Sequence, residues 1–204
     1  MKRFLRNNGL SIVMGGLFLL FWAGQAVSGY LASKQNADLH GDRQGDFADY
    51  LASGHFWQAT GENWESEFLQ MGAYVIFTAF LFQKGSAESL DPDEEESKPH
   101  RRSSAGWLYR NSLSLAFFGL FAGAFTIHAL GGLAEFNEEM TRHGRAPLKL
   151  AEFLRNPEFW FQSFQNWQSE FLAILAMVIL TIFLRQEGSA QSKKVEEDDD
   201  HTGD

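Results

Sequence analysis

The residues of this chain best suited to proton chemistry lie in a motif that occurs twice. Asn-Trp-Glu-Ser-Glu-Phe-Leu at 63–69 returns as Asn-Trp-Gln-Ser-Glu-Phe-Leu at 166–172. Both copies keep one carboxylate, Glu67 and Glu170, and both keep an asparagine four residues before it, Asn63 and Asn166. Residues four apart lie on the same face of a helix. The motif therefore predicts two equivalent acidic positions, each with an amide beside it.

A second polar position precedes each motif, inside a long apolar segment. Gln25 comes roughly 24 Å along the first segment, about one turn below the surface of a ~30 Å hydrocarbon core, and His128 holds the same place in the second copy. Counting back about 20 residues from Gln83 puts Glu67 at a similar depth. An ionisable group inside a bilayer is costly and faces a partner or a cavity. We therefore predict that His128 approaches a glutamate, most simply Glu170, with Gln25 near Glu67.

Two roles are open for this intramembrane polar layer. Its groups can hydrogen-bond the helices together or extend to the membrane interface, which is a purely structural role. Alternatively, a histidine beside a carboxylate titrates in the physiological range and can serve a proton-linked or substrate-binding function.

The elements that position these residues come from a tandem duplication. Residues 4–89 align without a gap with residues 107–192, and about a third of the positions are identical. Each copy has one long apolar segment, at 9–31 and 113–133, and a shorter one, at 68–82 and 171–184. The long segments reach the roughly 20 residues needed to span a bilayer, and the shorter ones do so if the helix begins earlier.

The predicted fold class is therefore all-α: an integral membrane four-helix bundle built from two tandem, parallel repeats of two transmembrane helices. We place repeat 1 at 1–89, an acidic flexible cytoplasmic linker at 90–104, repeat 2 at 105–192 and a disordered acidic tail at 193–204. The two acidic runs cannot bury enough apolar surface to fold, which indicates solvated segments.

The basic start followed by an apolar run is also typical of a secretory signal. However, the apolar run is longer than a signal core, and its counterpart recurs in mid-chain, so we predict that the first span is retained.

Basic residues predict the orientation, because lysine and arginine next to membrane spans stay cytoplasmic. Of the 17 lysines and arginines, 11 fall near the termini or between the repeats and six fall in the other two loops. Both termini are thus predicted to be cytoplasmic in the inner (plasma) membrane. Since each copy has an even number of spans, both insert the same way.

The outer loops predict helix starts and an aromatic surface. Asn156-Pro157-Glu158 has the pattern of a helix cap, a first-position proline and an acidic first turn, and Ser53 is the equivalent cap in repeat 1. Short amphipathic helices precede both caps, with apolar residues spaced i, i+3, i+4 at Phe47, Tyr50, Leu51 and at Leu150, Phe153, Leu154. The next turns carry Trp57, Trp64, Trp160 and Trp167. Tryptophans at this level are typical of interface anchors, and the alternative is a platform for a partner or ligand.

Other chemistry has little support. The chain has no cysteine, no phosphate-binding loop, no nucleophile elbow and no zinc motif, so we predict no catalytic residues, no metal and no cofactor. Its basic residues do not form a nucleic-acid-binding pattern. The predicted partners are the lipid bilayer and a homodimer through the GxxxG pair Gly119 and Gly123.

Several repeated motifs carry a family resemblance. They are the Arg-Asn-Asn-Gly-Leu-Ser start at 6–11, its partial repeat Asn-Ser-Leu-Ser at 111–114, the Phe-Trp before each Asn-Trp-x-Ser-Glu-Phe-Leu, and the Gln-x-Gly-Ser-Ala at 83–87 and 186–190. With these motifs the chain resembles an uncharacterised bacterial membrane family, domain of unknown function 6766. The resemblance implies a bacterial inner-membrane location and no mechanism.

Three function classes remain at this stage. The leading one is a non-enzymatic scaffold or interaction protein of the envelope, with the tryptophan-rich outer helices as its contact surface. The alternative is a small proton-coupled transporter or channel component that uses Glu67, Glu170 and His128. An intramembrane enzyme is third.

Overall fold

Capping residues set the helix boundaries in the computed structural model, which describes residues 2–40, 45–92 and 105–203. The side chain of Asn156 accepts a hydrogen bond from the Glu158 nitrogen at 3.0 Å, and Pro157 is the first residue of the following helix. In the first half, the Ser53 hydroxyl accepts from the Phe56 nitrogen at 3.3 Å. These bonds satisfy backbone donors that have no partner within the helix. Both predicted caps are confirmed.

All the regular structure in the described ranges is helical. The helices are α1 (Lys2–His40), α2 (Phe47–Ala52), α3 (Gly54–Phe77), α4 (Trp107–Arg110), α5 (Ser112–Arg142), α6 (Leu150–Phe153) and α7 (Pro157–Phe183). Most of the predicted linker, at 93–104, lies outside the described residues. We call the end of the bundle that carries α2 and α6 the α2/α6 end.

Three of these helices are long and apolar enough to cross a membrane: residues 4–37 of α1, all of α5 and all of α7. The sequence predicts four spans, and the remaining one corresponds to α3. Buried polar side chains lower the hydropathy of α3, namely Thr60, Glu65, Ser66 and Gln70. A helix can carry such residues inside a membrane protein when its neighbours supply their partners.

Aromatic contacts join the two long helices within each half. In the first half Phe18 and Trp22 of α1 contact Trp64 and Phe56 of α3, and the positions 103 residues later, Phe121, Phe125, Trp167 and Phe159, make the same contacts between α5 and α7. The ring centroids are 5.4–6.4 Å apart, which is the range of favourable aromatic pairs. The two halves therefore use equivalent residues to hold their helices together.

The close approach of α3 in the first half to α5 in the second depends on glycines at their contact. A Cβ added at Gly131 of α5 would lie 2.5 Å from the Gln58 nitrogen of α3, and one at Gly61 of α3 would lie 2.9 Å from the Cα of His128. The position equivalent to Gly61 in α7 is Phe164. The backbones of α3 and α5 therefore approach closely, whereas α7 carries a bulky side chain at the matching site. Since α3 also contacts α7, it is the central helix of the described bundle.

The C-terminal segment differs from the sequence prediction of a disordered tail. Residues 193–203 fold back on the chain, and the side chain of Lys193 is buried with its ammonium among backbone carbonyls. Most side chains of this segment are exposed, whereas those of Lys193 and Thr202 are buried. The partners of Lys193 are main-chain oxygens, which composition does not register.

Candidate functional site

A buried histidine–glutamate pair lies where α3, α5 and α7 meet. His128 Nδ1 and Glu65 Oε2 are 3.0 Å apart, and both side chains are fully buried. The sequence predicts that His128 approaches a glutamate, and it does. The partner is Glu65 of repeat 1, however, and not Glu170, because the close packing of α3 on α5 brings Glu65 to the histidine.

Glu65 also accepts hydrogen bonds from α7. The Ser163 hydroxyl donates to Oε1 at 2.8 Å and the Trp167 indole N–H donates to the same oxygen at 3.2 Å. Three donors from two helices thus converge on one carboxylate. These hydrogen bonds give the buried side chain polar partners, which offset part of the cost of burying it.

The second ring nitrogen of His128 connects the pair to a more open region. His128 Nε2 lies 3.4 Å from Gln162 Oε1, and the imidazole stacks on Phe159 with centroids 4.7 Å apart. Both ring nitrogens of His128 thus face oxygen atoms, and a ring nitrogen that carries a proton can donate to the oxygen it faces. A neutral ring would present a lone pair at Nε2, and the Gln162 amide would then have to turn its NH2 group towards it. The protonation state of His128 is therefore linked to the rotamer of Gln162.

Gln162 also lines a cavity of about 600 Å3 at the α2/α6 end. Its polar lining comes from several helices and includes four glutamates: His55, Gln58, Glu62, Glu135, Glu139, Asn156 and Glu158. Two aromatic side chains, Phe136 and Phe153, also line it. Four carboxylates around one opening concentrate cations, protons included. Among the described residues, no group of three or more His, Cys, Asp or Glu side chains is arranged to hold a metal ion.

His55, which lines this cavity, contacts a tyrosine. Tyr50 Oη lies 3.2 Å from His55 Nδ1. Burial, followed by the charge of the nearby Glu135 carboxylate, raises the pKa of Tyr50. The phenol therefore stays protonated at neutral pH and can donate to the imidazole.

The other polar-layer residues predicted from the sequence differ in their hydrogen-bond partners. Gln25 donates to the Thr60 hydroxyl at 3.3 Å and so does not pair with Glu67, which is exposed. Asn63 bonds the Ala59 carbonyl of its own helix. Its counterpart behaves differently, because Asn166 donates to Glu62 across the α3–α7 contact.

Glu170, one of the two predicted carboxylate residues, contacts α3 through its backbone oxygen. The Gln70 amide of α3 donates to the backbone oxygen of Glu170 at 2.8 Å. Glu62, Ser66 and Gln70 recur every four residues, so the interior face of α3 is polar over more than two turns.

The four tryptophans predicted as interface anchors have different surroundings. Trp57 is exposed, whereas Trp64 packs against Trp22, with ring centroids 5.7 Å apart. The indole N–H groups of the other two point to protein acceptors, since Trp160 donates to the Leu154 oxygen and Trp167 to Glu65. An interface role stays a prediction for all four.

Sequence reasoning passed over Glu65 because it selected residues that both repeats retain. Glu65 aligns with Gln168, and His128 aligns with Gln25. At one position the ionisable residue belongs to the first repeat and at the other to the second, with glutamine as its counterpart each time. The two ionisable residues are the ones that meet. This reciprocal exchange with glutamine is the feature of the sequence that could have predicted the pair.

The fold and the site together define a class: a membrane protein whose described secondary structure is all helical, with three helices long and apolar enough to span a bilayer and a buried histidine–glutamate pair in its interior. The chain belongs to the family described as domain of unknown function (DUF6766), whose model matches residues 1–204. No curated protein and no solved structure matches it.

Proposed function

We propose that this protein is a non-enzymatic, four-span protein of the bacterial inner membrane that binds and releases protons at the His128–Glu65 pair, as a small transporter or channel component. One observation carries the proposal: a fully buried ionisable pair is joined through Gln162 to an open acidic cavity. Ionisable residues inside a membrane bundle are expensive and mark ion or proton pathways in many proteins.

The proposal counts α3 as the fourth span. Its 24 residues are roughly 36 Å long, enough for a hydrocarbon core of about 30 Å. Its buried polar residues bond to other helices, as Gln70 and Glu65 do, or to its own backbone, as Ser66 does. Lipid then meets the more apolar parts of the bundle.

The orientation is also part of the proposal. With 11 basic residues on one side and six on the other, both termini lie in the cytoplasm and the acidic cavity opens to the outside. In an arrangement of two parallel repeats both α2 and α6 lie at that outer surface, and the equivalent aromatic contacts of the two halves support this arrangement.

The proton-binding step follows from the geometry around the imidazole. A proton attracted into the cavity adds to the free lone pair of His128 Nε2, and the resulting imidazolium is stabilised by Glu65 on one side and by the Gln162 oxygen on the other. Release reverses the step, and the Gln162 amide turns its NH2 group to Nε2. The rotating amide links protonation to the cavity wall.

A double substitution tests the proposal. We expect Glu65→Gln with His128→Gln to fold, because two amides keep the hydrogen bond and each residue already occupies the aligned position in the other repeat. Proton flux into liposomes driven by a pH gradient should fall to the level of empty liposomes, since no titratable group remains at the pair.

The matched control for that assay is Glu67→Gln, which removes an exposed carboxylate two residues from Glu65. It should retain the wild-type flux. Equal flux in the wild type and in the folded double variant would refute the proton-linked role.

A second candidate function, a membrane scaffold, is favoured by a different observation. Gly119 and Gly123 of α5 are exposed, and a Cβ added at either would meet nothing within 4 Å. Small residues spaced i, i+4 on an open helix face permit close approach of another helix. We propose that a second copy of the chain packs there.

We expect Gly119→Leu with Gly123→Leu to abolish a chemically cross-linked dimer in membranes, because the bulky side chains separate the helices. Gly16→Leu, at a site of α1 that is equally open, is the control and should leave the dimer intact. An unchanged dimer band in the double variant would remove the α5 face as the interface.

A further inference from the structure

At the end of the bundle opposite the cavity, the C-terminal segment is hydrogen-bonded to the turn that follows α3. After α3 and after α7 the chain forms the same turn, Gln83–Ser89 and Gln186–Ser192: the first-residue nitrogen donates to the last serine hydroxyl, at 2.9 and 2.8 Å. Gly85 and Gly188 adopt positive φ values of 85° and 77° in these turns, a conformation that glycine supports without strain.

The residue that follows the turn differs between the halves. It is Leu90 after the first turn, where it is exposed, and Lys193 after the second, where it is buried. The Lys193 ammonium donates to the Gly85 oxygen at 2.6 Å and to the Asp199 and His201 oxygens at 3.0 Å each. An ammonium has three hydrogens, so these three carbonyls satisfy it. The lysine thus joins the turn of repeat 1 to the C-terminal segment.

Further bonds hold the same two parts together. The Gly85 nitrogen donates to the Thr202 hydroxyl at 2.9 Å, and the Gly203 nitrogen donates to the Ser86 oxygen at 3.0 Å. Arg185, at the end of α7, bonds the Glu197 oxygen at 2.9 Å and the Asp199 carboxylate at 3.0 Å. The segment 193–203 is therefore bonded both to the turn at the end of repeat 1 and to Arg185 at the end of α7.

Buried polar groups lie next to this segment. The hydroxyls of Ser86 and Thr181 are 3.0 Å apart and both residues are buried. Their chain neighbours Gly85 and Ile182 supply oxygens to Lys193, the latter at 3.2 Å. The lysine therefore places a positive charge close to the Ser86–Thr181 contact, on the side of the C-terminal segment.

We propose that residues 193–203 form a strap that shuts the polar interior at this end, and that Lys193 is the lock that keeps the strap closed. When the strap lifts, the Ser86–Thr181 contact becomes accessible to water. The positive charge of the lock also repels cations at the closed end. This effect on proton movement rests on the proposed function, whereas the lock itself does not.

The strap is tested by thiol labelling of the full-length protein, which has no native cysteine. A cysteine introduced by Ser86→Cys is buried beneath the strap and should react slowly with a maleimide. Lys193→Met removes the charged donors but keeps the side-chain length, and we expect labelling at least about tenfold faster, as charge-assisted bonds hold the closed form. Lys194→Met removes an exposed ammonium paired with Glu197 and should change nothing.

A second variant guards against misfolding of the first. Thr202→Val removes one acceptor of the strap without altering the lysine, and should speed labelling by a smaller factor. Circular dichroism of each variant establishes that the helices remain. Unchanged labelling in both folded variants would overturn the proposal, whatever the flux.

Flux measurements separate this inference from the proposed function. If both proposals hold, Lys193→Met raises proton flux in the otherwise wild-type protein. In the variant with Glu65→Gln and His128→Gln, the same substitution leaves proton flux at the level of empty liposomes. Faster labelling with flat flux in every background would support the strap and count against the proton-linked role alone.

Discussion

Replacing Glu65 with leucine is expected to cause the largest loss of stability of any single side-chain change in this protein. Three hydrogen bonds converge on the carboxylate, and their donors, His128, Ser163 and Trp167, are left without their acceptor. Hydrogen bonds between membrane helices contribute about 0.6 kcal/mol on average and up to about 1.7 kcal/mol each. Breaking a buried ion pair from one side costs about 3–5 kcal/mol. Three such hydrogen bonds sum to about 2–5 kcal/mol, and this range overlaps the cost of breaking a buried pair. We therefore expect a decrease in unfolding free energy of about 3–5 kcal/mol.

The measurement is reversible unfolding in mixed micelles, followed by circular dichroism. Glu67→Leu is the matched control, because Glu67 lies on the same helix, belongs to the repeated motif and is exposed. Substitutions of exposed residues change stability by about 0.5 kcal/mol or less. A Glu67 variant as unstable as the Glu65 variant would contradict the assignment of Glu65 as the carboxylate of the interior.

The partner can be identified with a double-mutant cycle. His128→Leu in the Glu65→Leu background should cost much less than in the wild type, since the pair has already been lost. A coupling energy above about 0.5 kcal/mol marks residues in one network. Additive effects would place His128 and Glu65 in separate environments.

Gly61→Leu is expected to separate α3 from α5. Any Cβ at this position would lie 2.9 Å from the Cα of His128 and 3.0 Å from the Ala124 oxygen, so the obstacle is backbone that cannot rotate away. Overpacking costs about 1–3 kcal/mol, and more where a helix must move. Because the movement also pulls Glu65 from His128, we expect the upper end of that range or beyond.

The same unfolding assay measures this effect, with Gly24→Leu as the control. Gly24 is a helical glycine of α1, and a Cβ added there would meet nothing within 4 Å, so leucine should be neutral or slightly stabilising. Similar losses in both variants would mean that helix propensity, and not the α3–α5 contact, controls the result. A second check is the proton flux, which should fall in Gly61→Leu and persist in Gly24→Leu.

Together, the buried pair and the glycine contact explain why the two halves of a repeated sequence are not interchangeable. The aromatic contacts within each half use equivalent residues, and they serve the same purpose twice. The halves meet through α3, which contacts both α5 and α7, and the close backbone approach is to α5, where Gly61 and Gly131 make room. The aligned residues, Phe164 and Ser28, do not give α7 and α1 the same freedom of approach.

The sequence by itself determined the local structure, because caps, apolar length and periodicity act over short distances. Asn156, Pro157 and Ser53 mark helix starts through bonds to residues two or three positions away. Continuous apolar runs identify α1, α5 and α7 as helices able to span a membrane. The depth of His128 along its helix likewise follows from counting residues. From this depth we predict that His128 contacts a glutamate.

Only the tertiary structure decided which glutamate that is. Glu65 and His128 are 63 residues apart and belong to different repeats, and they meet because two glycines let their helices touch. The same holds for Lys193, whose acceptor at Gly85 is 108 residues away. Contacts between residues so far apart in the sequence depend on how the helices pack. Comparing the two copies of the repeat identifies residues that both copies share, whereas these contacts are made by residues in which the copies differ.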